Sequence, residues 1–192
     1  MTIQVEPATP DRWADVATLF EGDGPRGCWC QYWRQSSGDY QAGGPGSGER
    51  NLRAQVDGGP PAPGLIAYDD GVPAGWIGLG PRRSMERLVR SRTIPLVDDV
   101  PVWSIVCFKV QVGHRRTGVA RALLAAAIDY AADHGAPVVE AYPIDPDGQR
   151  LDVAFSYVGF TGMFEAAGFE RVTETAARSA GRPRILMRRE SG

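Results

Sequence analysis

The segment from His114 to Leu124, "HRRTGVARALL", sets Arg115 and Arg116 just ahead of Gly118, Ala120 and a run of apolar residues. A helix start leaves several backbone N–H groups unpaired, and its macrodipole makes that end partly positive. Two arginines add charge, and small residues let the backbone approach a ligand. Those types in that order make a seat for an anion, most naturally a phosphate. A purely structural reading stands beside it, in which Gly118 and Ala120 permit close packing of helix on strand. Cys28 and Cys30 invite a second chemistry, since C-x-C supplies two metal ligands. A structural zinc site wants four. The remaining candidates, Cys107, His114 and His134, fall in separate elements, so no metal is expected and the sulfurs read as packing groups.

The elements that must position these residues follow from periodicity and turn chemistry. "TIQV" reads as a first strand, with Thr9 as helix cap and Pro10 at the first helical position. Trp13, Val16, Ala17 and Phe20 share one helical face. Residues 22–63 form a Gly/Pro-rich insertion that carries "CWCQYWR" and a helix from about Glu49 to Val56. Connections of that length are often functional. Two apolar runs flanking Asp70-Gly71 predict a hairpin. A short basic helix is expected near Ser84 to Val89, and a buried strand over 102–112. The opening motif then starts an amphipathic helix through Val119, Ala122, Leu123, Ala126, Ala127 and Tyr130, closed by Gly135 and Pro137. "PVVEAYPI" reads as the next strand, making a βαβ unit with parallel neighbours. A helix from about Val153 to Ala167 and an antiparallel pair of closing strands complete the chain.

The whole chain bounds the answer. Its 192 residues fit one domain spanning 1–192 with the insertion at about 22–63, and 43% are hydrophobic. A net charge of −2 gives no support to a nucleic-acid partner. No apolar run approaches a membrane span, and the N-terminus has neither the basic nor the apolar region of a signal peptide. Three cysteines, an odd number, argue against a disulfide framework and for a cytoplasmic protein with reduced thiols. The dinucleotide fingerprint and the Walker sequence are both absent.

The strand at 102–112, the sequence Arg115-Arg116-Thr117-Gly118-Val119-Ala120 and the helix behind it resemble the acetyl-CoA signature Q/R-x-x-G-x-G/A of the GNAT superfamily of N-acetyltransferases. "MFEAAGF", 163–169, is similar to that family's late "LYEKLGF" segment. The order of elements fits over most of the chain. The resemblance implies a mixed, mostly antiparallel α/β sheet flanked by helices, with the βαβ unit binding acetyl-CoA. The pyrophosphate would sit on the amides of residues 115–120. The pantetheine arm would pair with the open edge of the strand at Phe108 and Val110, a form of strand addition. The implied partner is a small-molecule or peptide amine acceptor, and a homodimer is compatible with the reading. The competing class is a non-catalytic acyl-CoA-binding sensor or interaction module.

The implied reaction is attack of an amine on a thioester. An alkylammonium of pKa about 10.4 must lose a proton, which costs roughly 4–5 kcal/mol at pH 7. A base can assist. A leaving thiolate with a pKa near about 8.5 needs an acid less. In histone-type relatives a glutamate base stands early in the strand before the motif, where this chain has Ser104. Many relatives carry a tyrosine acid in the late segment, where this chain has Phe164. Glu140 is the best remaining carboxylate: it lies in an apolar strand beside the expected splay, where burial would raise its pKa. The alternative is a buried ion pair. Tyr142 shares its face and is the candidate to orient the acceptor or protonate the thiolate, with Ser156 and Tyr157 in reserve. Trp29, Tyr32 and Trp33 are candidates for an acceptor wall, or a hydrophobic anchor for the insertion. Asp145, Asp147 and Asp152 could draw in a cationic amine or form a solvated loop.

Overall fold

The computed structural model describes residues 2–24, 26–146, 148, 157–179 and 181–191. Seven strands form one sheet: β1 (Ile3–Pro7), β2 (Gly64–Asp69), β3 (Val72–Pro81), β4 (Val102–Val110), β5 (Val138–Ala141), β6 (Glu170–Ser179) and β7 (Arg182–Glu190). Their order is β1-β2-β3-β4-β5-β7-β6. Among the seven described strands only β4 and β5 pair in parallel; their connection runs through α5 (Val119–Asp133), as the βαβ pattern predicts. Asp70 turns β2 into β3 with φ at 48°, the left-handed geometry of a tight hairpin.

Strand alternation splits the core between the two faces of the sheet. Leu65 and Ala67 of β2 and Ala74, Ile77 and Leu79 of β3 pack beneath α5 and α6 (Thr161–Glu165). Ile66 and Trp76 face the other way, against α1 (Trp13–Phe20), α3 (Ser47–Asp57) and α4 (Glu86–Val89). The insertion joins this second core through Trp29 and Cys30 and adds α2 (Ser37–Ala42), which its composition did not announce. Ser36 caps α2 by accepting from the Asp39 amide.

Several boundaries differ from expectation. Thr9 makes no cap bond to a helix amide; its hydroxyl instead accepts from Arg12, and Pro10–Arg12 is a 3-10 turn ahead of α1. β5 stops at Ala141 rather than running to Ile144, because its partner β4 diverges there. The late helix is only five residues among those described, and residues 153–156 of its expected start lie outside them.

Candidate active site

β4 and β5 pair from Val102↔Val138 to Ile105↔Ala141 and then part. β4 runs on to Val110 with β3 on its other side, up to Gly75↔Val110. Its register against β3 jumps between Gly78↔Cys107 and Leu79↔Ile105, so Val106 is an extra, bulged residue. A bulge bends its strand and re-aims the residues after it. Ile105 and Phe108, three apart, accordingly share the α5-side core. The Gln111 amide donates to Ala74 O in β3 at 2.9 Å. Two-residue alternation therefore turns the backbone groups of Phe108 and Val110 toward the open edge. The splay and those two residues are where the sequence put them.

At the end of this edge the chain passes through a 3-10 turn, Val112–His114, into the start of α5. His114 Nδ1 lies 2.8 Å from Asp69 Oδ2, and the Thr117 hydroxyl donates to His114 O at 2.7 Å, which ties the turn to the hairpin. Arg116 has φ of 65°, and Gly118, the residue before α5, has φ of 98°. No side chain caps the first amides of α5. A Cβ on Gly118 would meet only Ile3 Cδ1, at 3.7 Å, so the glycine faces open space and is required by its φ. Arg115 and Arg116 are exposed, Thr117 and Ala120 half-buried, and Val119 buried in the core as the hinge of the turn. These features fit an anion seat.

Beneath the splay lies a buried polar network. Glu140 is wholly inaccessible; its Oε1 accepts from Arg82 Nη1 and from the Tyr142 hydroxyl, and its Oε2 accepts from Arg188 Nε at 2.8 Å. Arg82 also donates to Ile94 O at 2.6 Å, and Arg188 to Asp98. The Tyr142 hydroxyl further accepts from Arg82 at 2.9 Å and sits 2.9 Å from the Ser104 hydroxyl. Burial, reinforced by Glu140, pushes the Tyr142 phenol far above its usual range, so it stays protonated. The reading of Glu140 as a free base therefore gives way to its alternative, a buried ion pair. Both carboxylate oxygens are occupied, and neither Glu140 nor Tyr142 reaches the cavity described next.

That cavity, about 390 Å³, opens between the insertion and the free stretch of β4. Trp29, Tyr32 and Trp33 all line it, joined by Phe20, Tyr40 and Tyr157. Val106, Cys107, Phe108 and Lys109 form its β4 wall, and Asp23 is the one carboxylate among the lining residues. Asp23 pairs with Lys109, whose ammonium lies 4.8 Å from the Phe20 ring centre. Trp29 stacks on Phe20 at 5.1 Å, and Tyr32 meets Trp33 edge-on at 5.0 Å. The "CWCQYWR" rings are thus both wall and anchor, since Trp29 belongs to the core as well. Trp29 and Cys30 hold consecutive left-handed conformations, φ 46° and 60°, a strained turn that presents the cysteines inward.

All three cysteines reach this cavity. Gly78 makes room for Cys30: a Cβ there would lie 2.2 Å from its Sγ. The Cys107 thiol, together with Arg34 and Trp76, holds Cys30 down to about 6 and is itself held well above its ordinary range. Burial raises Cys28. Among the described residues no group of three or more His, Cys, Asp or Glu is placed to hold a metal ion. Asp145 is tied to Arg171, which also binds Glu165; Asp147, Asp152 and Ser156 lie outside the described residues.

Residues 25–155 match the model of the acetyltransferase (GNAT) family. The chain belongs to that family. Among solved structures, a GCN5-related N-acetyltransferase from Kribbella flavida aligns over 98% of this chain and 97% of its own, with 20% identity and a TM-score of 0.57. A putative GNAT acetyltransferase from Desulfovibrio desulfuricans aligns over 100% of both chains at 17% identity and a TM-score of 0.56. The NatC complex bound to Gag peptide and CoA aligns over 99% of both chains at 16% identity and a TM-score of 0.55. At these identities the likeness concerns the fold. No curated protein matches this chain.

The GNAT assignment supports acetyl transfer, for which the GNAT fold uses acetyl-CoA as cosubstrate. None of its described helices is long and apolar enough to cross a membrane. Sequence reasoning did not mark three residues that line the cavity: Asp23 just past α1, Tyr40 on the unforeseen α2, and Lys109. Lys109 is the lone lysine and sits on the strand edge, the only signal that could have marked it.

Proposed function

We propose that this chain transfers the acetyl group of acetyl-CoA to the nitrogen of a primary amine. The observation that carries the reading is the continuity of its two halves. The open edge of β4, where the pantetheine arm would pair, is also the inner wall of the aromatic cavity through Val106–Lys109. A thioester lying along that edge would present its carbonyl carbon to a nucleophile held by Trp29, Tyr32 and Trp33.

Phe108 and Val110 would bind the pantetheine amides, and the turn Arg115-Arg116-Thr117-Gly118-Val119-Ala120 would bind the pyrophosphate. Asp23, the cavity's carboxylate, is our candidate to take the ammonium proton, directly or through a water. The amine lone pair attacks the thioester carbon. A C–N bond forms, the C–S bond breaks, and the CoA thiolate leaves and is protonated from solvent. Glu140 and Tyr142 act as positioning residues, fixing β5 against β4 at the root of the splay through the Tyr142–Ser104 contact. The three free thiols accord with a reducing compartment such as the cytoplasm.

A non-catalytic acyl-CoA sensor is the second reading. It is favoured by Ser104 and Phe164, both buried and neither able to act as base or acid. Calorimetric titration with CoA, followed by an amine panel read as free thiol release from acetyl-CoA, separates the two. Tight CoA binding without release from any amine overturns the enzymatic reading, and absence of CoA binding overturns both.

A further inference from the structure

The cavity, about 390 Å³, has the size of a small-molecule site, for which about 300–1,000 Å³ is usual. Among the described residues seven of the thirteen that line it are aromatic, and its one carboxylate is Asp23. A thioester on the β4 edge enters along Val106–Lys109, so the acceptor meets the wall opposite, built by Tyr32, Trp33 and Tyr40 of the insertion. The rings of that wall are already engaged by the chain's own cations. The Arg87 guanidinium lies 4.1 Å from the Tyr32 ring centre and 5.1 Å from that of Tyr40. That of Arg184 lies 5.5 Å from the Trp33 ring centre. Neither arginine lines the cavity, so both cover their rings from behind. On the β4 side the Lys109 ammonium lies 4.8 Å from the Phe20 ring centre and pairs with Asp23.

An aromatic face attracts a cation through its negative quadrupole. A face whose reverse already carries a guanidinium has less of that attraction to offer, and a second cation there also meets like-charge repulsion. A neutral aromatic ring suits the same wall, through stacked or edge-on contacts. The Asp23 side chain is 32% exposed and already shared with Lys109, so it can meet one ammonium and not several. We infer that the acceptor is a primary monoamine whose body is an aromatic ring on a short alkyl chain. Its ring lies among Tyr32, Trp33 and Tyr40, its nitrogen reaches Asp23, and the arginines behind the wall turn polycations away. This inference rests on the acetyl-transfer reading and names the substrate class of that same site.

The test compares phenethylamine with n-hexylamine, of similar length but without a ring, and with spermidine, a polycation. In the wild-type protein kcat/KM for phenethylamine should exceed that for each of the others by at least about tenfold, the scale on which aromatic contacts discriminate. R87M removes the charge behind Tyr32 and Tyr40 while keeping an apolar stem there. In that variant the advantage over spermidine should shrink through a lower KM for spermidine, while the advantage over n-hexylamine stays. Equal or better use of n-hexylamine or spermidine by the wild type overturns the inference, as does a spermidine ratio unmoved in folded R87M. If R87M fails to fold, the wild-type ratios decide. If no amine is acetylated, the acetyl-transfer reading fails. Calorimetry on CoA-saturated wild type then decides the ligand class: tightest binding of phenethylamine supports the inference, and equal or absent binding overturns it.

Discussion

On one side of the β4 edge, the α5 turn offers a ligand mostly main-chain groups: uncapped helix amides, a glycine at φ 98°, and exposed arginines around them. On the other side, the cavity offers side chains gathered from α1, the insertion, β4 and Tyr157. A backbone seat needs few residue identities, so it recurs as a short motif and suits a cosubstrate that stays the same. A side-chain cavity has every wall open to substitution and suits the variable acceptor. Between them, the Arg82–Glu140–Arg188 network belongs to neither site and holds the fork from which both open.

That division is breakable by substitutions that should strike one side only. The largest effect is expected from Glu140→Gln, which leaves Arg82 and Arg188 facing a neutral amide. Removing one partner of a buried pair costs about 3–5 kcal/mol, so thermal unfolding should shift far more than CoA affinity. A wild-type melting temperature with kcat alone reduced would return Glu140 to the catalytic role. Next, Asp23→Asn should lower kcat/KM by about 10²-fold, as loss of a general base does, leaving CoA binding intact; unchanged rates across pH 6 to 9 would remove Asp23 from the mechanism. Gly118→Val should weaken CoA by at least about tenfold, roughly 1.4 kcal/mol, since a β-branched residue is strained at positive φ. Pantetheine, which lacks the pyrophosphate, should scarcely notice. Trp33→Ala should raise KM for the acceptor several-fold without moving that for acetyl-CoA. Smallest is Arg116→Ala, whose exposed charge is screened; its effect on CoA should fade as ionic strength rises, and a salt-independent effect would mean a direct, buried contact.

The same division explains what could be read from the sequence. The βαβ unit, the hairpin at Asp70-Gly71 and the turn at Arg115–Gly118, our proposed anion seat, are local: spacing and turn chemistry over a dozen residues determine them. The aromatic segment was visible as an anomaly in a Gly/Pro-rich stretch, but its partners were not. Nothing in "EGDGPRG" marks Asp23 as facing Lys109, because their 86-residue separation is closed only by the sheet. Glu140 was located correctly on β5, and its burial was foreseen. A buried ion pair was its stated alternative, but the partners were not legible, because Arg82 and Arg188 come from β3's exit turn and β7. The bulge at Val106 left no trace in residue type, yet it lets four consecutive β4 residues border one cavity.

The thiols that border this cavity turn its occupancy into something directly countable. The Cys107 thiol holds Cys30 below the ordinary thiol range, whereas Cys28 and Cys107 are themselves held above it. A thiolate is the nucleophile toward alkylating reagents. A small haloacetamide should therefore add a single mass increment at Cys30 first, at a lower pH than the other two thiols need. Any occupant of the cavity should slow that increment in proportion to the fraction bound, so intact-mass spectrometry would rank acceptors before one turnover is measured.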